Sequence, residues 1–218
     1  MNWVLANLDL IAEQTFAHLL LSGPPILLSL LLALPLGKIA LRVRWLRRPL
    51  LSGAALLYAI PSLPLFVGLP LILGTGIRDP LNIIVALTLY GLSLMVPAAA
   101  DALASVEPAV LDAADALGYR PGHRFVAVEL PLAGPALLAG LRVVSVSTIS
   151  LVTVGGVLGV ANLGLLFIDG FQRNIIAQIL TGLLLTVMLA LLVDRLLAAA
   201  GHLLLPWHRA TQTTGGTA

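Results

Sequence analysis

The residues able to do covalent or metal chemistry are few in this chain and poorly grouped. Its 4 histidines are scattered and it has no cysteine, so disulfides, thiol nucleophiles and a dedicated metal site lack building material. No Gly-rich GxxxxGK[ST] stretch is present to cradle phosphates, and no carboxylates are paired in a plausible pocket. The sequence therefore predicts no catalytic residue and no metal, and any ATP would have to be hydrolysed by a partner. It does offer hydroxyls: Ser145, Ser147, Thr148, Ser150 and Thr153 crowd one apolar stretch ahead of Gly155 and Gly156. As a group they could line a polar path between subunits. Plain helix packing competes with that reading, because small residues let membrane helices approach and Ser or Thr can bond its own backbone.

The elements that carry these residues are set by hydropathy. Hydrophobic residues make up 59% of the 218 and charged residues 10%, against about 25% charged in an ordinary soluble domain; mean hydropathy is +1.05. A water-soluble core cannot absorb that excess, and the bilayer, at about 20 apolar residues per helical span, is the better ruler. Charge-free runs cover 14–37, 49–77, 80–100, 143–168 and 174–193, predicting an all-α membrane protein of about five spans. They are continuous and rich in Leu and Ala, without the period-two alternation of membrane strands. The first span starts either near residue 14 or near 24, since Ser22, Gly23, Pro24 and Pro25 should break a helix entered from His18. Residues 1–21 would then be an interfacial segment. They lack the basic n-region and cleavage site of a signal peptide. Proline and glycine at Pro61, Pro64, Gly68, Pro70 and Gly74 forbid a uniform second span.

Of the 12 Lys and Arg, only Arg78 and Arg173 fall on one side of these spans. The positive-inside rule then puts the N-terminus outside and the C-terminus in the cytoplasm. Membrane topology explains the basic residues better than nucleic acid, because no aromatic residues interleave with them. Trp3, Trp45 and Trp207 suit interfacial anchoring. Arg142 is expected at the cytoplasmic entry of span four, and Asp194 with Arg195 at the end of span five, leaving no ionisable group near the midplane where ion-coupled carriers place them. Residues 22–200 form the membrane domain and 201–218 a tail, with 210–218 disordered.

The largest non-spanning stretch, 101–141, is cytoplasmic and too polar to cross. Glu107-Pro108 opens a helix that continues with Leu111, Ala114 and Leu117 on one apolar stripe, and Gly118 stops it. Arg120-Pro121-Gly122 turns the chain, a second short helix starts at Phe125, and Leu130-Pro131 ends it. An apolar stripe on an exposed ledge implies a protein partner.

Asp112-Ala113-Ala114, three residues, Gly118, nine residues, Val128, one residue and Leu130-Pro131 resemble the EAA loop of ABC-importer permeases, with Asp in place of Glu and Val in place of Ile. The resemblance implies a type I importer permease fold. It also implies that this loop is a coupling helix docked on a cytoplasmic ATPase, with Asp112, Ala113, Ala114, Leu117, Gly118, Leu130 and Pro131 as coupling residues. Tyr58-Ala59-Ile60-Pro61-Ser62-Leu63-Pro64 and Gly155-Gly156-Val157-Leu158-Gly159 are similar to the osmoprotectant branch, which imports glycine betaine, carnitine and choline. For a quaternary ammonium, aromatic faces would serve through cation–π attraction. The path candidates are thus Tyr58, Ser62, Phe66, Tyr90, Ser147, Ser150 and Thr153. The same resemblance implies an inner-membrane transport subunit that binds no cofactor itself, ATP and Mg belonging to the ATPase. Its partners would be two ATPase subunits, a second permease in a homo- or heterodimer, and an extracytoplasmic binding protein. A methionine or other amino-acid importer, or a secondary carrier, are the competing functions.

Overall fold

The computed structural model describes residues 2–207, and every described element is helical; the expected disorder of 210–218 falls outside these residues. Four helices are long and apolar enough to cross a membrane, or five where the bent pair counts as one span. A short α1 (Asn2–Ala6) leads into α2 (Leu8–Arg42), α3 (Arg44–Ala59) and α4 (Ser62–Leu73) form the bent pair, and α5 (Pro80–Ala104) crosses next. Two short helices, α6 (Pro108–Ala116) and α7 (Pro121–Arg124), follow, and then a π-turn at Phe125–Glu129 that runs into α8 (Leu130–Val152). A 3₁₀ turn at Thr153–Leu158, α9 (Gly164–Gln172) and α10 (Ile176–Leu204) complete the chain.

Helix α5 is the hub: α2, α8, α3 and α4 all pack on it, while α10 packs on α8 and α9. It starts cleanly because Asp79 accepts a hydrogen bond from the Leu81 N–H and Pro80 occupies the first turn. Its axis is lined with residues small enough for close approach. A Cβ on Gly37 would lie 2.9 Å from the Ala100 nitrogen, one on Gly91 would lie 2.6 Å from the Ser29 Cβ, and one on Gly140 would meet the Ala98 Cβ at 2.8 Å. Without apolar driving force between helices in lipid, such contacts hold the bundle together.

Three expectations fail here. Helix α2 does not break at residues 22–25: it runs through Pro24 and Pro25 for 35 residues, about 52 Å, beyond the roughly 30 Å of hydrocarbon. Packing on α5 outweighs the two lost backbone bonds, and before the prolines His18 is buried and bonded to Ile149 of α8 and to Leu163. Leu130-Pro131 does not end a helix either. The π-turn just before it, closed by the Leu130 N–H on Phe125 O, widens the backbone where Pro131 cannot donate, so α8 starts at Leu130. The fourth span therefore begins thirteen residues earlier than its charge-free run suggested, and Arg142 falls about halfway along it. Its partner Asp194 lies inside α10, with ten residues of helix still to follow. Arg142 therefore lies within a helix and pairs with Asp194, whereas the charge-free run puts it at the entry of a span.

The second span is broken, as its prolines require. Helices α3 and α4 meet at 105°, with Ile60 and Pro61 extended between them. Pro64 deprives the Ile60 carbonyl of its helical donor, and the Tyr90 hydroxyl donates to that carbonyl instead.

Candidate functional site

The elbow between α5 and α8 is built by α6 and the turn that stops it. Gly118 adopts φ +82°, the Gly118 N–H bonds Asp115 O at 3.0 Å, and the Tyr119 N–H bonds Ala114 O at 3.1 Å. This is a Schellman termination, which needs a left-handed residue at that place. A Cβ on Gly118 would meet nothing within 4 Å, so conformation, not space, selects glycine. Two faces result. Ala114 is buried and Leu111 packs beside it against the cluster that holds Leu103 and Val106. Leu117 leaves that stripe, contrary to expectation: it is 78% exposed, because the termination turns it outward. It joins exposed Val110 and Ala113 at i, i+3 and i+7, an apolar strip on the outer face of α6. Asp112 is exposed beside it.

A chain of charges, absent from any sequence motif, ties this elbow to the spans. Asp115 of α6 pairs with Arg124 of α7, Arg124 Nε also donates to Glu129 Oε1 at 3.1 Å, and Glu129 Oε2 receives Lys38 of α2. Lys38 lies over the Phe125 ring at 5.2 Å. The Glu129 side chain is 4% exposed, so it is held by its two cations. Truncating it as Glu129→Ala leaves two cations facing each other. We expect a loss of about 2–3 kcal/mol, at the low end for a broken buried pair because Lys38 and Arg124 can each swing to water. Thermal unfolding of the detergent-solubilised protein measures it, and an unchanged midpoint removes the chain from the stability account.

The path candidates separate into two sets. At the α3–α4 break, Tyr58 is exposed and meets Tyr90 edge-on, with ring centroids 6.2 Å apart, and Ser62 is half-buried. Phe66 and Tyr90 are buried in the core with Leu87 and Val152. Neither ring is exposed in this conformation. On α8, Ser147 and Ser150 lie on the open face and Thr153 is partly exposed, whereas Ser145 and Thr148 point into the bundle. Ser145 and Thr153 hydroxyls bond their own helix, at Leu141 O and Ser150 O, as the packing reading anticipates.

Beside Ser147, α8 and α10 flank an open cleft of about 490 Å³ lined by Ala139, Arg142, Val143, Val146, Ser147 and Asp194. Arg142 Nε and Nη2 reach the two Asp194 oxygens at 2.7 Å each, a bidentate pair. Fifty-one residues separate its members in the sequence, and no local signal joins them; only correct placement of α8 puts both at one depth.

Residues 26–204 match the family described as binding-protein-dependent transport system inner membrane component. The osmoprotectant import permease protein OsmW of Salmonella typhimurium is 34% identical over 199 residues, 90% of this chain and 92% of that protein. The glycine betaine/carnitine/choline transport system permease protein OpuCD of Bacillus subtilis is 29% identical over 84% of this chain and 80% of its own length. Among solved structures, an inward-facing form of the MetNI methionine ABC transporter superposes with a TM-score of 0.76 at 22% identity, covering 88% of this chain and 96% of that one.

Proposed function

Because the chain belongs to the family of binding-protein-dependent transport system inner membrane components, we propose that it is the multi-pass permease through which an ATP-driven importer passes quaternary-amine osmoprotectants. The transport subunit has no enzymatic part of its own. The observation that carries the cargo is the similarity, over most of both chains, to permeases named for osmoprotectants, glycine betaine, carnitine and choline. Fold likeness to a methionine importer speaks to architecture alone.

The N-terminus lies outside and the elbow and C-terminus face the cytoplasm, an orientation supported by the flanking Lys and Arg. Residues 1–21 carry the outer end of α2, 22–200 form the permease and 201–218 the cytoplasmic tail. Asp112, Ala113, Leu117 and Gly118 present the docking surface for a cytoplasmic ATPase, which holds ATP and Mg. Ala114, Leu130 and Pro131 seat the elbow against the base of α8. When the ATPases close, α6 is displaced, and the line Asp115, Arg124, Glu129 and Lys38 passes the displacement to α7, α8 and α2. One five-span chain cannot enclose a path, so a second copy or a similar permease completes it. Tyr58, Ser62, Ser147, Ser150 and Thr153 are the path residues, and an external binding protein delivers the cargo.

The test is ATP hydrolysis by the complex reconstituted in lipid with its ATPase and cognate binding protein. Glycine betaine, carnitine or choline should raise the rate several-fold while methionine does not. Stimulation by methionine alone would transfer the protein to the amino-acid importers. Uptake that survives loss of the ATPase but collapses with the ion gradient would make it a secondary carrier.

A further inference from the structure

The Arg142–Asp194 pair sits where lipid could not tolerate it. Its depth follows from its neighbours: Val144, half a turn further along α8, is within reach of Gly91, which packs on Ser29, and Gly140 packs on Ala98 and Met95. Glu129, at the level of Lys38 near the cytoplasmic end of α2, is thirteen residues back, about 20 Å along the helix. The pair is nevertheless open, with side chains 39% and 20% exposed, on the face where Ala139, Val143, Val146 and Ser150 are also exposed. A guanidinium and a carboxylate at mid-depth face a water-filled cavity or a protein, not hydrocarbon. A charge pair this exposed adds little to a fold's stability, which turns attention to what the charges recognise.

We infer that Arg142 and Asp194 form a transit site for a zwitterion, Asp194 receiving the ammonium end and Arg142 the carboxylate. The inference rests on the permease reading above and deepens it. A zwitterion carrying one charge of each sign replaces each partner of the pair with a group of the same charge. Neither the empty nor the loaded state then leaves a charge unpaired at low dielectric. The guanidinium fork matches a carboxylate in plane and spacing. A quaternary ammonium has no proton to donate and is held beside Asp194 by charge alone. The cleft, at about 490 Å³, is of the size that takes a small molecule. The pair closes again behind each molecule, which keeps residence short, as a conducting site requires.

The test uses the full importer with ATPase and binding protein in proteoliposomes, measuring uptake of glycine betaine, carnitine and choline. Choline has the cation but no carboxylate. Arg142→Gln should cut glycine betaine and carnitine uptake at least tenfold while changing choline less than threefold, and Asp194→Asn should cut all three at least tenfold. Either single variant leaves a lone charge and could fail to fold. The double variant Arg142→Gln/Asp194→Asn keeps a neutral, hydrogen-bonding pair of the same shape; it should co-purify with the ATPase and lose uptake of all three at least tenfold. Wild-type glycine betaine uptake by the double variant, or equal losses of glycine betaine and choline in a folded Arg142→Gln, overturns the site and leaves a structural pair. The wild-type arm judges the cargo separately. If methionine is what it imports, that zwitterion replaces glycine betaine, and the same tenfold loss is expected in the double variant.

Discussion

Gly118→Val should yield a protein that inserts and folds yet no longer co-purifies with the ATPase, and transport should fall below a tenth of wild type. The residue's φ of +82° costs a β-branched side chain on the order of 1–3 kcal/mol, strain that sits in a turn with few contacts to resist it. The turn relaxes by moving φ negative, which breaks the Tyr119 N–H to Ala114 O bond and swings Leu117 off the strip it shares with Val110 and Ala113. Membrane insertion does not depend on that turn, so only docking suffers. A graded series separates this cause from a direct contact. Asn tolerates the left-handed region better than other non-glycine residues, and open space surrounds the Cβ position, so Gly118→Asn should retain most co-purification, Ala less and Val least. If Asn proves as damaging as Val, the partner ATPase occupies the space beside Gly118 and the conformational account is wrong.

How far the sequence could be read follows from the kind of signal each element gives. Hydropathy located α2, α5 and α10 because each is a single apolar run, and it located the broken span because Pro61 and Pro64 punctuate it. The EAA-like spacing located the elbow because a motif survives as residue types at fixed separations. Charge misplaced the fourth span. Starting the span after Arg142 assumed that an arginine marks a membrane face, and the structure pairs that arginine with Asp194 partway along α8, on its open face. A pair spanning α8 and α10 is invisible to any window of local sequence. Helical periodicity likewise assigned Leu117 to the buried stripe, since no period describes a helix past its own termination. The Lys38–Glu129–Arg124–Asp115 chain joins four elements, and its link from Glu129 to Lys38 crosses 91 positions of sequence, so no local pattern announces it.

The glycines that suggested a substrate branch have a packing reason, and it makes Gly164 the position where the smallest side chain should do the most damage to folding. The 3₁₀ turn after α8 crosses the start of α9 with backbones in contact. A Cβ on Gly164 would lie 1.9 Å from Thr153 O and 2.7 Å from Asn162 Oδ1, and one on Gly156 would lie 2.7 Å from the Gly164 carbonyl carbon. The obstacle is backbone oxygen, which cannot rotate away. The crossing cannot separate freely either, because four bonds pin it. Asn162 Oδ1 accepts from the Gly164 N–H at 2.6 Å and its Nδ2 donates to Val160 O at 2.9 Å. His18, fully buried, bridges the same loop to α8: its Nδ1 accepts from the Leu163 N–H at 3.3 Å while its Nε2 donates to Ile149 O at 3.0 Å. Gly164→Ala must therefore break one of these bonds or push α9 off the 3₁₀ turn, orphaning buried polar groups as it does so. We expect a loss above about 4 kcal/mol, in the range kept for disrupted cores, and a thermal midpoint lower by on the order of 10 °C in detergent. Gly155→Ala is the matched control. Its Cβ would strike the Ile83 Cδ1 at 2.4 Å, the free end of a side chain that can change rotamer, so its midpoint should fall by much less. Equal midpoints for the two variants would mean that the crossing is soft and that these glycines are kept for some reason other than backbone contact.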